Sequence, residues 1–364
     1  MTRPEPAPAA PPAGTVLMCP GQGAYLPGAL RHLRSVLAVR DVLEAVDTLA
    51  ADRYGPAPPV SRLLTDAGAP GPEELLTLHP LAFDLATYAA VVASATVLLG
   101  TLRTPVDAVL GHSVGDLAAL TVAGAVTVQQ GAWLLCVRDR MLRDAALPAA
   151  GLLATDMTAD EAAHLLDTCC LPRLRIAARN APGQTVLAGP GDELALARQA
   201  VRDRGHRATP LTSRTAFHHP LLAEVHRGFR RLLRGQPVRP PALTVYTATS
   251  GRPARTAAQL RGAAADHLTR PLPLGRTLRT LHQAGYTTFI DSGPRALLST
   301  LVKANLTGCT TAAPLRTPAD PARVRDRLAT ALRTAPEHDT QMTDSCHRRT
   351  EFPDGRAGLA PTWP

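Results

Sequence analysis

Val106-Asp-Ala-Val-Leu-Gly-His-Ser-Val-Gly-Asp116 is the stretch that decides the fold, because it predicts a strand that turns abruptly into a helix. Its apolar first half forms the strand, and the helix is expected to run from its last residue to Ala125. Gly111 and Gly115 allow a tight turn, which we call the elbow, and let the helix pack close to the strand. The elbow holds Ser113 beside a helix N-terminus, where backbone N–H groups can stabilise an oxyanion. It therefore predicts a nucleophilic serine, with a plain strand-to-helix turn as the alternative.

A second apolar strand is predicted at Thr15–Cys19, close to the start of the chain. It runs into Gly21-Gln22-Gly23, a flexible loop that brings N–H groups to the carboxyl end of the strand, where α/β enzymes bind their ligands. Helices are expected at about 30–50, 82–99 and 128–145. The second of these is so rich in Ala, Val and Leu that we expect it to be buried and to serve packing.

From about Gly151 the pattern changes to strand, helix, strand, strand, helix, strand, which is the order of a ferredoxin-like unit. Strands and helices of the first kind return after this unit. We therefore predict an α/β fold: a large α/β-hydrolase-like body with a mainly parallel sheet, formed by residues 14–150 and 213–336. Into this body a small ferredoxin-like α+β subdomain, residues 151–212, is inserted.

The composition, with 45% hydrophobic residues among 364, is typical of a globular protein. We expect no apolar run long enough to cross a bilayer, and the Pro-rich start lacks the features of a signal peptide, so a cytoplasmic protein without a membrane partner is predicted. Residues 1–13 are expected to be a disordered N-terminus and residues 337–364 a loose C-terminal tail. The six cysteines are scattered without metal-ligand spacing, which predicts reduced thiols and no metal site.

The formal net charge of +9 comes almost entirely from arginine, because Lys303 is the only lysine. Aromatic residues make up only 3% of the chain and no nucleic-acid-binding signature is present, so we expect no nucleic-acid partner. The charge instead favours an acidic protein partner or a phosphate-bearing cofactor. The chain is expected to act as a monomer.

Three short motifs follow one another along the chain: Pro20-Gly-Gln-Gly23, Gly111-His-Ser-Val-Gly115 and Ala216-Phe-His-His-Pro-Leu221. In this order and at these separations they resemble the malonyl-CoA:acyl-carrier-protein transacylase family, which includes the acyltransferase domains of polyketide synthases. The resemblance covers roughly residues 14–330. Its subsidiary matches are Arg138, Asn180-Ala-Pro-Gly-Gln184 and Asp291-Ser-Gly-Pro294.

The resemblance implies a Ser-His dyad, in which Ser113 is the nucleophile and His218 is the base that a hydroxyl needs near pH 7. In the family a backbone carbonyl, not a carboxylate, orients the imidazole. Backbone N–H groups of Gln22 and Val114 would form the oxyanion hole. The neighbouring His219 competes for the role of base, although the family usually has a small residue at that position.

The resemblance also assigns three residues to substrate binding. Arg138 matches the family's arginine on the helix after the elbow, whose planar guanidinium binds the free carboxylate of malonate. Phe217 would fill the space that a branched acyl group needs, which favours malonyl over methylmalonyl, and Asn180 is the third residue. Arg140, on the same helix as Arg138, is expected to be a solvated surface charge.

The chain departs from the family pattern at several positions. By family analogy His79 and His267, each standing where Gln is common, lie near the acyl pocket, and these exchanges leave the acyl group open. Asp116 replaces the usual Glu, and Ala24-Tyr25 stands where Ser-Gln is frequent.

The predicted function is that of an acyltransferase of polyketide or fatty acid biosynthesis. It would move a malonyl or related acyl group from malonyl-CoA, the donor substrate, to the phosphopantetheine thiol of an acyl carrier protein through an acyl-serine, without a permanently bound cofactor. One alternative is an acyl-carrier-protein thioesterase or editing hydrolase with the same Ser-His site, and another is a transferase for a non-malonyl group. A third is an inactive relative that only binds a carrier protein. An ordinary α/β-hydrolase esterase is disfavoured, because its histidine lies near the C-terminus and His218 lies mid-chain.

Overall fold

Two β-sheets carry the fold in the computed structural model, which describes residues 14–51, 57–102 and 105–333. The expected disordered start, the expected tail and Cys346 lie outside these residues. The strands are β1 (Gly14–Cys19), β2 (Ala108–Gly111), β3 (Ala150–Thr155), β4 (Arg175–Ala181), β5 (Gln184–Pro190), β6 (Ala208–Pro210), β7 (Thr244–Thr247), β8 (Pro253–Ala254), β9 (Tyr286–Asp291) and β10 (Thr310–Ala312).

The α-helices of the described residues surround these sheets. They are α1 (Leu37–Ala51), α2 (Val60–Thr65), α3 (Pro72–Leu78), α4 (Pro80–Thr101), α5 (Gly115–Val122), α6 (Val128–Asp144), α7 (Ala159–Thr168), α8 (Gly191–Asp203), α9 (Ala223–Arg234), α10 (Ala257–Asp266), α11 (Leu274–Gln283), α12 (Leu297–Asn305) and α13 (Pro321–Arg333). Short 3₁₀ turns lie at Gln22–Ala24 and Pro220–Leu222.

The larger sheet has the strand order β10-β9-β1-β2-β7-β8, and all its pairs are parallel except β7 with β8. The last residue of β1, Cys19, lies opposite the last residue of β2, Gly111. The carboxyl ends of these two central strands therefore meet at one edge of the sheet. The loop after β1 and the elbow after β2 are brought side by side there, as α/β enzymes require of a site at this edge.

The smaller sheet is antiparallel and has the order β4-β5-β3-β6, with α7 and α8 packed against it. Numbered within the unit, this is the order 2-3-1-4 of a ferredoxin-like fold built as strand, helix, strand, strand, helix, strand. It joins the larger body through backbone hydrogen bonds between β4 and Leu272. The prediction of an α/β fold with a mainly parallel sheet and a small inserted α+β unit is confirmed.

The long helix α4 lies at the centre of the larger body and contacts α1, α2, α3, α5 and α6. The expectation that no apolar run is long enough to cross a bilayer was wrong, since α4 has 22 residues and passes that test of length and composition. However, 94% of its most apolar window is buried inside the protein. Its apolar surface is thus covered by neighbouring helices, as expected for a packing helix.

Several element boundaries differ from the sequence-based expectation. The helix expected at about residue 30 begins at Leu37, and the residues before it form successive turns. The sequence did not indicate β8, β10 or α13. The two strands have two and three residues, too short for an alternating pattern to be recognised, and α13 has only Val324 and Leu328 as buried residues.

Candidate active site

The elbow has the tight geometry that its glycines predict. A Cβ atom on Gly115 would lie 2.1 Å from the carbonyl oxygen of Cys19, and one on Gly111 would lie 2.5 Å from the Cα atom of Asp116. Ser113 has φ of +60°, a conformation that residues with side chains rarely adopt. Such strain persists only where the surrounding structure enforces it, and it is concentrated at functional sites.

The side chains of Ser113 and His218 meet at the end of the larger sheet. The Oγ atom of Ser113 lies 2.8 Å from Nε2 of His218, and Nδ1 of His218 lies 2.8 Å from the carbonyl oxygen of Arg270. Since a carbonyl can only accept, Nδ1 carries the proton and the lone pair of Nε2 faces the serine hydroxyl. His218 also has φ of +60°, so both residues of this pair are held in the left-handed region.

Burial determines the protonation of His218, which is 4% exposed. Desolvation lowers the pKa of His218 to about 3, although the hydrogen bond to the Arg270 carbonyl acts in the opposite direction. The imidazole is therefore neutral near pH 7. A neutral imidazole can accept the Ser113 proton, as a general base must.

The adjacent His219 is turned away from Ser113. Its Nε2 atom donates to the carbonyl oxygen of Arg173, at 2.9 Å, and its Nδ1 atom accepts from the N–H of Leu221, at 3.0 Å. Both ring nitrogens are thus used to fix the chain between the larger body and the smaller sheet. The geometry favours His218 over His219 as the base.

The backbone N–H groups of Gln22 and Val114 belong to the two turns that meet beside Ser113. Within the described residues, neither the N–H of Gln22 nor that of Val114 donates to a protein atom. A Cβ atom on Gly21 would lie 2.9 Å from the carbonyl oxygen of His112 and 3.2 Å from Cβ of Ser113, so the loop after β1 rests directly against the elbow. This arrangement is compatible with the oxyanion hole that the sequence predicts at Gln22 and Val114.

Asn180 reaches the site through His112. Its Oδ1 atom accepts from Nε2 of His112 at 3.2 Å, while its Nδ2 atom donates to Gln184 at 2.8 Å. The side chain of Asn305 donates to its carbonyl oxygen. Asn180 therefore connects the smaller sheet to the residue that precedes Ser113, and its assignment to substrate binding stays a prediction.

Arg138 is fully buried and its guanidinium is already paired within the protein. Nη2 lies 2.7 Å from Oδ2 of Asp84, Nη1 lies 2.9 Å from Nε2 of His267, and the guanidinium carbon lies 5.4 Å from the ring centre of Phe217. The structure thus brings Arg138 and Phe217 together. The Nε atom of Arg138 has no hydrogen-bond partner among the described residues, and the assignment of Arg138 to substrate binding stays a prediction. Arg140, in contrast, is exposed and pairs with Asp144.

Two more charged residues extend this group. Arg214 donates to Asp84 at 3.2 Å and makes a close ion pair with Asp139. Burial raises the pKa of a carboxyl group, but the guanidinium groups of Arg138 and Arg214 outweigh it and lower the pKa of Asp84. Asp84 is therefore a carboxylate. We call Asp84, Arg138, Asp139 and Arg214 the charge cluster.

Sequence reasoning missed Asp84, Arg214 and the contact between His267 and Arg138. One signal was present, because Asp84 is the only charged residue of the otherwise apolar α4. A charge inside a buried helix requires a partner.

Comparison with known proteins gives one family model, described as acyl transferase domain, which matches residues 16–333. The chain is 34% identical over 205 residues to polyketide synthase GfsA of Streptomyces halstedii, which covers 56% of this chain and 3% of that protein. It is 29% identical over 301 residues to the phenolphthiocerol synthesis polyketide synthase type I Pks15/1 of Mycobacterium marinum, covering 80% of this chain and 13% of that protein. The chain thus spans a small part of the length of these relatives.

Solved structures share the fold. The acyl-carrier-protein S-malonyltransferase of Burkholderia pseudomallei matches with a TM-score of 0.76 and 22% identity, covering 87% of this chain and 99% of that chain. A malonyl-transacylase in complex with its type II polyketide synthase acyl carrier protein matches with a TM-score of 0.76 and 21% identity, covering 87% and 100%. The acyltransferase domain from module 8 of the salinomycin polyketide synthase matches with a TM-score of 0.74 and 24% identity, covering 87% and 74%.

Proposed function

We propose that this chain, which belongs to the acyl transferase domain family, transfers an acyl group from coenzyme A to the phosphopantetheine thiol of an acyl carrier protein through an ester of Ser113. One observation carries the proposal: Ser113 Oγ lies 2.8 Å from Nε2 of His218, whose other nitrogen is fixed on the carbonyl of Arg270. A serine so placed next to a neutral base is an activated nucleophile. A malonyl-transacylase of the same fold forms a complex with its acyl carrier protein, which supports the choice of acceptor.

In the first half-reaction the Ser113 oxygen attacks the thioester carbonyl of the acyl-CoA, and its proton passes to Nε2 of His218. The developing oxyanion would accept hydrogen bonds from the N–H groups of Gln22 and Val114, which have no acceptor among the described residues. The C–S bond then breaks, the imidazolium returns the proton to the departing thiolate, and free CoA leaves. An acyl ester of Ser113 remains.

In the second half-reaction the thiol of the carrier's phosphopantetheine arm replaces CoA. Its proton passes to His218, the thiolate attacks the ester carbonyl, and a C–S bond forms. When the C–O bond breaks, the Ser113 oxygen takes the proton back from His218. The site is restored, and no proton or electron is gained or lost over the cycle.

Hydrolysis is the second candidate, because the same residues would allow water to attack the acyl ester. The net charge of +9 favours the carrier, since a basic surface attracts an acidic protein, whereas it does nothing for water.

The identity of the acyl group is a finer proposal. Phe217 lies against Arg138, and its bulk near this site supports an unbranched acyl group. The sequence predicts malonyl because Arg138 matches the family's carboxylate-binding arginine, and malonyltransferases share the fold. In this chain, however, Arg138 is paired with Asp84. We therefore propose an unbranched acyl group, whose charge depends on whether Arg138 is free.

The test is to incubate the protein with a panel of acyl-CoA thioesters, including malonyl-, acetyl- and methylmalonyl-CoA, and to measure its intact mass. We expect a stoichiometric acyl adduct from at least one thioester, located by peptide mapping at Ser113 and absent from Ser113→Ala. An adduct that survives in Ser113→Ala, or no adduct from any thioester, would contradict the proposal.

A further inference from the structure

Asp84 is a buried carboxylate whose two oxygens are both used by side chains around the site. Oδ1 accepts from Nε2 of Gln22 at 2.9 Å. Oδ2 accepts from Nη2 of Arg138 at 2.7 Å and from Nη2 of Arg214 at 3.2 Å. Asp84 is fully buried, so this pairing takes place away from solvent, where ion pairs are hard to exchange.

The guanidinium of Arg138 is also occupied on its other side. Nη1 donates to Nε2 of His267, and a nitrogen that accepts from arginine must be unprotonated. Burial, followed by the charge of Arg138, lowers the pKa of His267 well below its usual value, which agrees with this neutral form. Both terminal nitrogens of Arg138 therefore bind protein groups. Asp84 and His267 thus hold one terminal nitrogen each, and the buried Nε atom has no hydrogen-bond partner among the described residues. The charge of the guanidinium is matched by the Asp84 carboxylate.

The four side chains of the charge cluster balance in charge, and the exposed Arg143, which also pairs with Asp139 at 2.9 Å, is screened by solvent. Arg138 and Arg214 each carry one positive charge, and Asp84 and Asp139 each carry one negative charge. A substrate carboxylate entering here would either add a negative charge without a partner or displace Asp84, which is fully buried, from Arg138. Both outcomes are costly, because a buried unpaired charge is strongly unfavourable.

The cluster is directly connected to the reacting groups. Gln22, whose side chain donates to Asp84, supplies one of the two backbone N–H groups of the proposed oxyanion hole. His267, which accepts from Arg138, in turn accepts a hydrogen bond through its carbonyl oxygen from the N–H of His218. The pair of Asp84 and Arg138 is thus linked by hydrogen bonds to Gln22 and, through His267, to the backbone of His218.

We propose that Asp84 is a specificity-determining residue: it gives Arg138 a carboxylate from the protein's own chain, so that the acyl group loaded onto Ser113 has no free carboxylate. The substrate class is the CoA thioester of a short, unbranched, uncharged monocarboxylic acid. This inference rests on the proposed function, because an acyl group is selected only when the acyl-serine forms. It replaces malonyl, which the resemblance implies, with a neutral acyl group.

The test measures the initial rates at which acetyl-, propionyl- and malonyl-CoA acylate Ser113 in the wild-type protein, followed by intact mass. We expect the neutral thioesters to react about tenfold faster than malonyl-CoA, or more. The variant Asp84→Asn keeps the shape of the side chain but removes its charge, which frees the positive charge of Arg138. Its ratio of malonyl to acetyl rates should rise by about tenfold or more.

Asp144→Asn is the control, because Asp144 pairs with the exposed Arg140 on the same helix as Arg138. This substitution should leave the ratio of malonyl to acetyl rates unchanged. Faster loading of malonyl than of acetyl and propionyl by the wild type would overturn the inference and leave the acyl-serine mechanism intact. The inference would also be overturned, with the mechanism intact, if Asp84→Asn folds and keeps the wild-type ratio of malonyl to acetyl rates. Absence of any adduct would overturn the proposed function, and the inference with it. If Asp84→Asn does not fold, the rates of the wild-type protein with neutral thioesters and with malonyl-CoA alone decide whether the inference holds.

Discussion

Two adjacent histidines of the same motif have different partners, and this difference predicts different effects of substitution. His218→Gln removes the base that faces Ser113, so acylation should slow by about 10²–10⁴-fold. His219→Gln can still donate to the Arg173 carbonyl and should keep the rate within a few-fold of wild type, which is about the effect of a peripheral polar change. Single-turnover acylation by acyl-CoA measures both. Equal losses in the two variants would contradict the assignment of the base.

The protonation of His218 leads to a pH prediction. Because burial lowers the pKa of His218 to about 3, the neutral imidazole is already fully present above about pH 5. The acidic limb of kcat/KM for acyl-CoA, which reports the free enzyme, should therefore be absent near the usual histidine pKa of about 6.5. A limb with its midpoint between about pH 6 and 7 that disappears in His218→Gln would show that the base is exposed and protonated there.

At the scale of single residues, the sequence was sufficient to predict where a residue lies when that residue belongs to a short local motif. Ser113, Val114 and Gln22 lie in short turns whose glycines determine their geometry, so their placement could be predicted. Asp84 and Arg138 are 54 positions apart, and their pairing depends on how α4 packs against α6. A sequence motif identifies Arg138 but does not reveal the partner that occupies its guanidinium.

At the scale of elements, the close approach of α5 to β1 makes Gly115 irreplaceable. A Cβ atom there would overlap the carbonyl oxygen of Cys19, so Gly115→Ala must displace the helix from the strand. We expect a loss of about 1–3 kcal/mol in the free energy of unfolding, together with a loss of acylation. Denaturant unfolding measures the first effect, and the acyl-serine assay measures the second.

Gly100→Ala is the matched control for this prediction. Gly100 lies in α4 and is exposed, and in the described part of the chain a Cβ atom on it would meet nothing within 4 Å apart from its own helix backbone and chain neighbours. Alanine should therefore increase the free energy of unfolding by about 0.5–1 kcal/mol, because it restricts the unfolded chain. If Gly115→Ala instead raised the free energy of unfolding as much as Gly100→Ala does, helix propensity, and not contact with β1, would determine the effect at Gly115.

Hydrophobic patterns predicted most of the elements that form the two sheets. Strands β1, β2, β5 and β9 are short apolar runs next to glycine or proline, which is the signal that sequence reasoning uses. The helix ends were less predictable, since Leu37 begins α1 only after several turns, whose Leu30 and Leu33 pack into the core of the larger body. The edge strands β8 and β10 form because partners are available, and their sequences carry no pattern.

At the scale of the whole molecule, the site is shared between the two sheets. The elbow belongs to the larger sheet, whereas Asn180, which binds His112, belongs to β4 of the smaller one. The order of strands and helices along the chain predicted that the protein has these two sheets. It could not predict that Asn180 contacts the elbow through His112, because that contact depends on how the two sheets are placed.

The net charge of +9 predicts that transfer to the carrier protein depends on salt. Several arginines lie together on α9, just after the motif that contains His218: Arg227, Arg230, Arg231 and Arg234. Raising the salt from about 50 to 300 mM should increase KM for an acidic holo-carrier several-fold and leave kcat nearly unchanged, because screening weakens the encounter only. A KM that is independent of salt would count against electrostatic docking.

Transfer through Ser113 is tested most directly by the fate of the isolated acyl-serine. The adduct is formed with acyl-CoA, excess thioester is removed, and the intact mass is followed in buffer, with an apo-carrier protein and with the holo-carrier protein. We predict that the adduct persists in buffer and with the apo-carrier, and that the holo-carrier discharges it while gaining the mass of the acyl group. Rapid loss of the adduct in buffer, with no acyl group on the holo-carrier, would contradict transfer and identify a hydrolase.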